Sequence, residues 1–299
     1  MRTDVSFPSA GIRLAAHLYT PAEPNGRAII IGHPGTATKE QSPALYAAKL
    51  ADKGLTVLTF DAAFQGESEG LPRGREDPAQ RIEDIKAAVS FLATLPGIAA
   101  ERIGVLGICA SGGYAIAAAA GDRRIRAVAS VAAVDVGLQM RVGADGQQDP
   151  AVLDALLEGA AQARSRAARG EAMGALPVFP ANEEEARAGG QHVFEGWDYY
   201  CTPRAQHPRS ARALSWDSLD RMATFDAFRF IDMIAPRPLL MITAQHAVTA
   251  WMSQQAFARA GEPKTLHTVA QASHVDLYDR EGPVNDAVAQ LARFFTASL

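Results

Sequence analysis

The sequence predicts an α/β protein: a mostly parallel central sheet flanked by helices, with an inserted helical segment. Three observations carry this. Short, mostly apolar runs at residues 29–31, 55–60 and 103–106 read as strands buried on both faces. They alternate with helical stretches of 10–15 residues, which means βαβ crossovers and a sheet covered on both sides. That rhythm stops after Asp135 and resumes only near residue 237, with a long stretch lacking any buried-strand pattern between. The resulting division is a core of residues 1–136 and 227–299 interrupted by a helical cap at 137–226.

Val5 to Phe7 and Ile12 to Leu18 read as two strands joined at Ser9-Ala10-Gly11. Residues 27–32 form the next strand. Ser42-Pro43 opens a helix, with serine as N-cap and proline in the first turn, and Gly54 ends it. After the strand at 55–60, residues 61–78 read as a long polar loop broken by Gly70, Pro72, Gly74 and Pro78. Ile82, Ile85, Val89 and Leu92 make one apolar stripe on a helix over 81–95. A strand at 125–134 completes this half. In the second half, strands are predicted at 237–243 and 264–269, with helices at 253–260 and 284–295. In the cap, residues 151–168 are alanine-rich and helical, 182–187 are acidic, and Trp197-Asp198-Tyr199-Tyr200 is an aromatic cluster.

Composition narrows the function. The 299 residues are 48% hydrophobic and 21% charged with a net charge of −4, the profile of an ordinary globular protein. That balance suggests neither a nucleic acid nor an anionic membrane as partner. No apolar leader and no run of membrane-spanning length is present, so the expected location is the cytoplasm. Two cysteines, Cys109 and Cys201, make no disulfide framework, and no Cys/His cluster points to a metal or other cofactor. A homo-oligomer is compatible with the chain, but nothing in the sequence specifies one.

The chemistry centres on Gly107-Ile108-Cys109-Ala110-Ser111-Gly112-Gly113. A buried strand runs into a small-residue turn and then into an alanine-rich helix, as in a nucleophile elbow with Cys109 at the apex. Residues two before and two after the apex must be small, and Gly107 and Ser111 satisfy that. Ser111 at the apex, flanked by Cys109 and Gly113, is the alternative frame. A buried structural cysteine is the plain reading. The amide of Ala110, at the start of the new helix, is free to donate to an oxyanion. A second donor is expected from Gly35, because Pro34 beside it has no N–H. His33 and Thr36 flank that loop and are candidate substrate contacts.

A thiol needs a base. His274 is the only histidine after the last predicted strand, which makes it the candidate; His246 and His267 compete. The loop after the strand at 237–243 carries no acid where one is expected to orient His274. Asp135, at a strand end, is the substitute, with Asp276, Asp279, Glu195 and Asp198 less well placed. Trp197, Tyr199 and Tyr200 are candidates for a pocket wall or for cap packing.

With Gly32-His33-Pro34, the stretch from Asp61 to Ser68 and the Cys109 turn, the chain resembles an α/β-hydrolase over nearly all but the cap. The cysteine at the apex resembles the dienelactone hydrolase branch, in which a Cys, a His and an Asp act on small lactones and esters. The resemblance implies a small-molecule acyl substrate, no cofactor, and hydrolysis of an ester, lactone or thioester through a covalent acyl-enzyme. Acyl transfer to an alcohol or amine in secondary metabolism is the second expectation. A non-catalytic ligand-binding protein on the same fold is the third.

Overall fold

Each apolar run of the core becomes a strand of one eight-stranded sheet in the computed structural model, which describes residues 1–299. In chain order the first half contains β1 (Arg2–Ser9), β2 (Ile12–Tyr19), β3 (Ala28–Gly32), α1 (Ser42–Ala51), β4 (Thr56–Phe60), α2 (Pro78–Leu92), β5 (Ile103–Ile108), α3 (Ala110–Gly121) and β6 (Ala127–Val131). Helices α4 (Val136–Val142), α5 (Pro150–Ala168), α6 (Glu183–Ala188), α7 (Gln191–Cys201) and α8 (Leu219–Ala223) follow, with a short hairpin of β7 (Ala175–Pro177) and β8 (Ala213–Ser215) among them. The sheet resumes with β9 (Leu239–Ala244), α9 (Ala250–Arg259) and β10 (Lys264–Val269), and the chain closes on α10 (Asp276–Asp279) and α11 (Glu281–Ser298).

The strand order is β1-β2-β4-β3-β5-β6-β9-β10. Only β1 and β2 run against their neighbours; every other pairing is parallel. Every residue of β3, β4, β5, β6 and β9 is buried, which is why these segments read as mostly apolar runs without polar alternation. One apolar cluster fills each side of the sheet: Ile30, Leu58, Val105 and Val128 face one, and Ile29, Ile31, Leu106 and Ala129 face the other.

The order matters for function at one place. The chain moves outward from β3 to β4, then returns to lay β5 on the other side of β3, with Gly32 paired to Gly107. The loops leaving β3 and β5 therefore part at a switch point, above the carboxyl ends of adjacent strands, where an open α/β sheet forms its crevice.

Three local expectations change. Ser42 is the first helical residue of α1 rather than its cap, and Gln41 holds the cap position. Asp77 caps α2, accepting from the amides of Ala79 and Gln80, so this helix starts at Pro78, before the apolar stripe does. The stretch after Asp61 is buried at its start, from Asp61 to Gln65, and exposed in parts only beyond it. Asp61 is fully buried, and its carboxylate accepts from the Lys39 ammonium at 2.9 Å and from the amides of Lys39 and Glu67 at 2.8 Å. Glu40 and Glu67 complete the shell around Lys39 Nζ at 2.8 and 2.6 Å. Burial works against the Lys39 charge, but Asp61 and these partners overcome it and raise its pKa to about 12.

The segment between β6 and β9 contributes no strand to the main sheet. It lies over the carboxyl ends of the strands through α4, α7 and α8. Arg204, just after α7, ties it to the core: its guanidinium donates to both Asp279 oxygens at 2.8 and 2.6 Å and to Asp198 at 3.0 Å.

Candidate active site

At the end of β5 the backbone turns so sharply that Cys109 adopts φ 54° and ψ −119°. A side chain at positive φ is strained by ~1–3 kcal/mol and persists only where the surroundings over-determine it. Here they do: the Cys109 amide donates to Val131 O at 2.9 Å, and its carbonyl accepts from Gly112 at 2.8 Å and Val134 at 3.0 Å. Gly107 is required by contact. A Cβ there would lie 1.9 Å from the Ser111 carbonyl oxygen, so no side chain fits under the turn.

The turn pushes the Cys109 side chain above the sheet, into a cavity of about 400 Å³. Ala110, at the start of α3, and Gly35, on the loop after β3, line the same cavity, and their amides favour the ionised sulfur. Burial pushes the Cys109 thiol above its ordinary pKa, partly offset by the nearby Tyr278 hydroxyl and by the two amides. Ser111, the alternative apex, is buried beneath, its hydroxyl donating to His33 O at 2.5 Å. Cys201, at the end of α7, lies outside the cavity lining.

His274 follows β10, is 2% exposed, and lines the same cavity as Cys109. Its two nitrogens have buried partners: Nδ1 lies 2.7 Å from Thr249 Oγ1, and Nε2 lies 3.0 Å from Tyr278 Oη. Burial, with a smaller contribution from the neighbouring His192 ring, lowers its pKa to about 3. The two competing candidates are placed elsewhere. His246 is exposed, and His267 Nε2 lies 3.1 Å from the Asp286 carboxylate.

The acid is where the structure departs from expectation. Asp135 does not reach His274. Its carboxylate caps α4, accepting from the amides of Gly137 at 2.9 Å, Leu138 at 3.1 Å and Ala227 at 3.1 Å, and three donors leave it no spare role. Asp276 accepts from the Ser273 amide, Asp279 and Asp198 hold Arg204, and Glu195 accepts from Gln191. The position beside His274 Nδ1 belongs to Thr249, in the loop after β9 where an acid was sought. Its location was the signal; its side chain, a neutral hydroxyl, hid it. Tyr278 was also missed, although it stands four residues after His274, one helical turn away.

The candidate substrate contacts divide. Thr36 and Tyr200 line the cavity. His33 does not: it is fully buried, Nδ1 lies 2.6 Å from Pro34 O, and Nε2 accepts from the Ala62 amide at 3.1 Å and Arg81 at 2.9 Å. Burial and the Arg81 charge hold it neutral. Trp197 stacks on Phe194, and Tyr199 packs edge-on against Tyr200 and Tyr278; neither lines the cavity. The remaining walls are largely apolar, with Val136, Met140 and Met222 among them, while Glu76, paired with Arg81 and Tyr114, marks the polar end. A second, mostly polar cavity of about 550 Å³ adjoins the first at His192 and His274.

Comparison with known proteins sets this geometry in a family. Residues 10–222 match the family model described as X-Pro dipeptidyl-peptidase (S15 family). The chain is 36% identical to the uncharacterized protein YcjY of Escherichia coli, with all of both chains covered. It is 25% identical to a thiohydrolase of Eupenicillium brefeldianum, over 98% of this chain and 93% of that one. The polyketide transferase GrgF of Penicillium is 26% identical over 92% and 90%. Among solved structures, PA2218 of Pseudomonas aeruginosa superposes with a TM-score of 0.92 at 37% identity, covering 100% of this chain and 94% of that one. GrgF superposes at 0.85 with 22% identity, covering 100% and 99%. A dienelactone hydrolase of Anabaena variabilis matches at 0.58 and 14%, covering 100% and 98%, a likeness of fold alone. An elbow above a parallel sheet, a histidine after the last strand and a model match over most of the chain agree: this chain belongs to the S15 family, on the α/β-hydrolase fold.

Proposed function

We propose that the chain is an acyl hydrolase that cleaves a small, apolar ester, lactone or thioester through a covalent intermediate on Cys109. The observation that carries this reading is a sulfur held at the strained strand-to-helix turn, beside Ala110 and Gly35, in a largely apolar cavity that His274 also lines. Two backbone donors at that position suit the oxyanion that forms when a carbonyl is attacked there, worth on the order of several kcal/mol of barrier. The apolar walls suit an acyl chain, and a cavity of about 400 Å³ suits a small one. In this reading His274 is the base, and Thr249 replaces the usual carboxylate as the group that orients it. A thiol tolerates that replacement better than a hydroxyl does, because it ionises more readily.

The test uses p-nitrophenyl hexanoate and a hexanoyl thioester of N-acetylcysteamine. The expected result is a hexanoyl adduct on Cys109 by mass spectrometry and loss of turnover in Cys109→Ala. Full turnover in Cys109→Ala would sink the reading. Cys109→Ser asks separately whether sulfur is needed.

A second reading, transfer of the acyl group to an alcohol or amine, draws support from the polar cavity that meets the acyl site at His192 and His274. The fungal relatives include proteins described as a thiohydrolase and as a polyketide transferase, one for each reading. Product analysis with and without an added amine or alcohol separates them.

A further inference from the structure

We infer that Tyr278 is a catalytic residue, its hydroxyl bridging Cys109 Sγ and His274 Nε2 and carrying the proton between them. This deepens the acyl-transfer reading and rests on it. No hydrogen bond joins Cys109 to His274 directly. The partner of Nε2 is Tyr278 Oη, at 3.0 Å. All three side chains line one cavity, and the Tyr278 hydroxyl and the Cys109 thiol each shift the other's ionisation there. The phenol is held in place. Tyr278 is 3% exposed, Tyr199 and His274 pack edge-on against its ring at 5.1 and 5.5 Å, and the adjacent Leu277 carbonyl accepts from Tyr46 Oη at 2.7 Å.

The proton path balances. At rest, Cys109 S–H donates to Tyr278 Oη, Tyr278 O–H donates to Nε2, and Nδ1–H donates to Thr249 Oγ1. When Sγ forms its bond to the carbonyl carbon, the π electrons move to the oxygen held by Gly35 and Ala110. The thiol proton passes to Oη as the phenol proton passes to Nε2, so no free phenolate forms. On collapse the carbon–heteroatom bond breaks, and the proton returns from Nε2 through Oη to the leaving group. Water then attacks the acyl carbon, its proton takes the same route to Nε2, and the proton comes back to Sγ as the C–S bond breaks.

The experiment compares wild type, Tyr278→Phe and protein with 2,3-difluorotyrosine at position 278, using the hexanoyl thioester of N-acetylcysteamine. Rapid-quench mass spectrometry reads Cys109 acylation, and mixed H2O/D2O solvent counts the protons in flight. In Tyr278→Phe acylation slows roughly 10²- to 10⁴-fold with KM little changed, and a bowed two-proton solvent dependence becomes linear. Acylation at the wild-type rate overturns the proposal, as does slow acylation with an unchanged solvent dependence, which marks a packing role. If the Phe variant does not fold, the fluorinated protein decides: a rate that follows phenol acidity supports the bridge, and a rate indifferent to it overturns it. Iodoacetamide alkylation of Cys109 is read across pH in parallel. Its midpoint rises in Tyr278→Phe if the hydroxyl donates to the thiolate, and an unmoved midpoint counts against the bridge. A wild type that never acylates Cys109 overturns the acyl-transfer reading itself, and the alkylation result then judges the Tyr278–Cys109 contact alone.

Discussion

Thr249 sets the electrostatic character of the site. A carboxylate beside Nδ1 would favour imidazolium; a neutral hydroxyl does not, and burial then dominates, leaving His274 with a pKa of about 3. The Cys109 thiol moves the other way, above its usual value. Neither group changes charge near neutrality, so kcat/KM is expected to be flat between about pH 5 and 8 rather than bell-shaped. Thr249→Asp places a negative charge against the ring and raises the His274 pKa by roughly 1–3 units, so an acid limb enters the measured profile. Thr249→Val keeps the volume but removes a hydrogen bond worth ~1–3 kcal/mol, and kcat is expected to fall roughly ten- to hundredfold. The same depressed pKa affects stability. An unfolded histidine binds a proton below pH 6.5 and buried His274 does not, so the unfolded state gains protons first and stability falls as pH drops. Between pH 7.5 and 5 the loss from His274 is about 2 kcal/mol. His33, also buried and held neutral, adds to it. Urea denaturation at the two pH values measures the sum, and His274→Gln removes the His274 share.

At the scale of elements, the turn between β5 and α3 was the most legible part of the chain. Small residues at Gly107 and Ser111 are a steric demand, and steric demands are written in residue types. Gly107→Ala drives a Cβ against the Ser111 carbonyl, and about 3 kcal/mol of stability is expected to be lost, read by urea denaturation. The buried stretch after Asp61 was illegible for the opposite reason. Asp61, Gln65 and Ser68 look solvated in a linear reading but are buried, and only the fold brings Lys39 from a different loop to neutralise Asp61. Lys39→Met leaves Asp61 buried without its cation, with an expected cost of about 3–5 kcal/mol, measured the same way. Asp135 shows a third limit. An aspartate at a strand end fits a catalytic acid and a helix cap equally well, and only the positions of the Gly137, Leu138 and Ala227 amides decide between them.

For the whole molecule, the sequence displayed the layering because parallel strands buried on both faces are apolar throughout. It displayed His274 because the fold delivers the end of the chain to the crevice. It hid the cap's internal arrangement, since Trp197 packs inside it, Tyr199 packs against Tyr278 of the core, and Tyr200, from the same helical stretch, faces the cavity. Arg204 spans the junction between α7 and α10. Arg204→Ala breaks charge-assisted bonds worth roughly 1.5–3 kcal/mol each before solvent screening. Stability is expected to drop modestly, and KM for the hexanoyl probes to rise more than kcat falls, as the wall carrying Tyr200 and His192 loosens. Steady-state kinetics of that variant checks this.

A sulfur that waits in its protonated form has one more property. Peroxides attack thiolates, not thiols, and the climb from sulfenic toward sulfonic acid begins with that ionised atom. With no carboxylate to draw the imidazole into an ion pair, and with burial holding Cys109 neutral, the sulfur is shielded from oxidants. Dimedone labelling after hydrogen peroxide should therefore be slow on the native protein, and faster on Thr249→Asp.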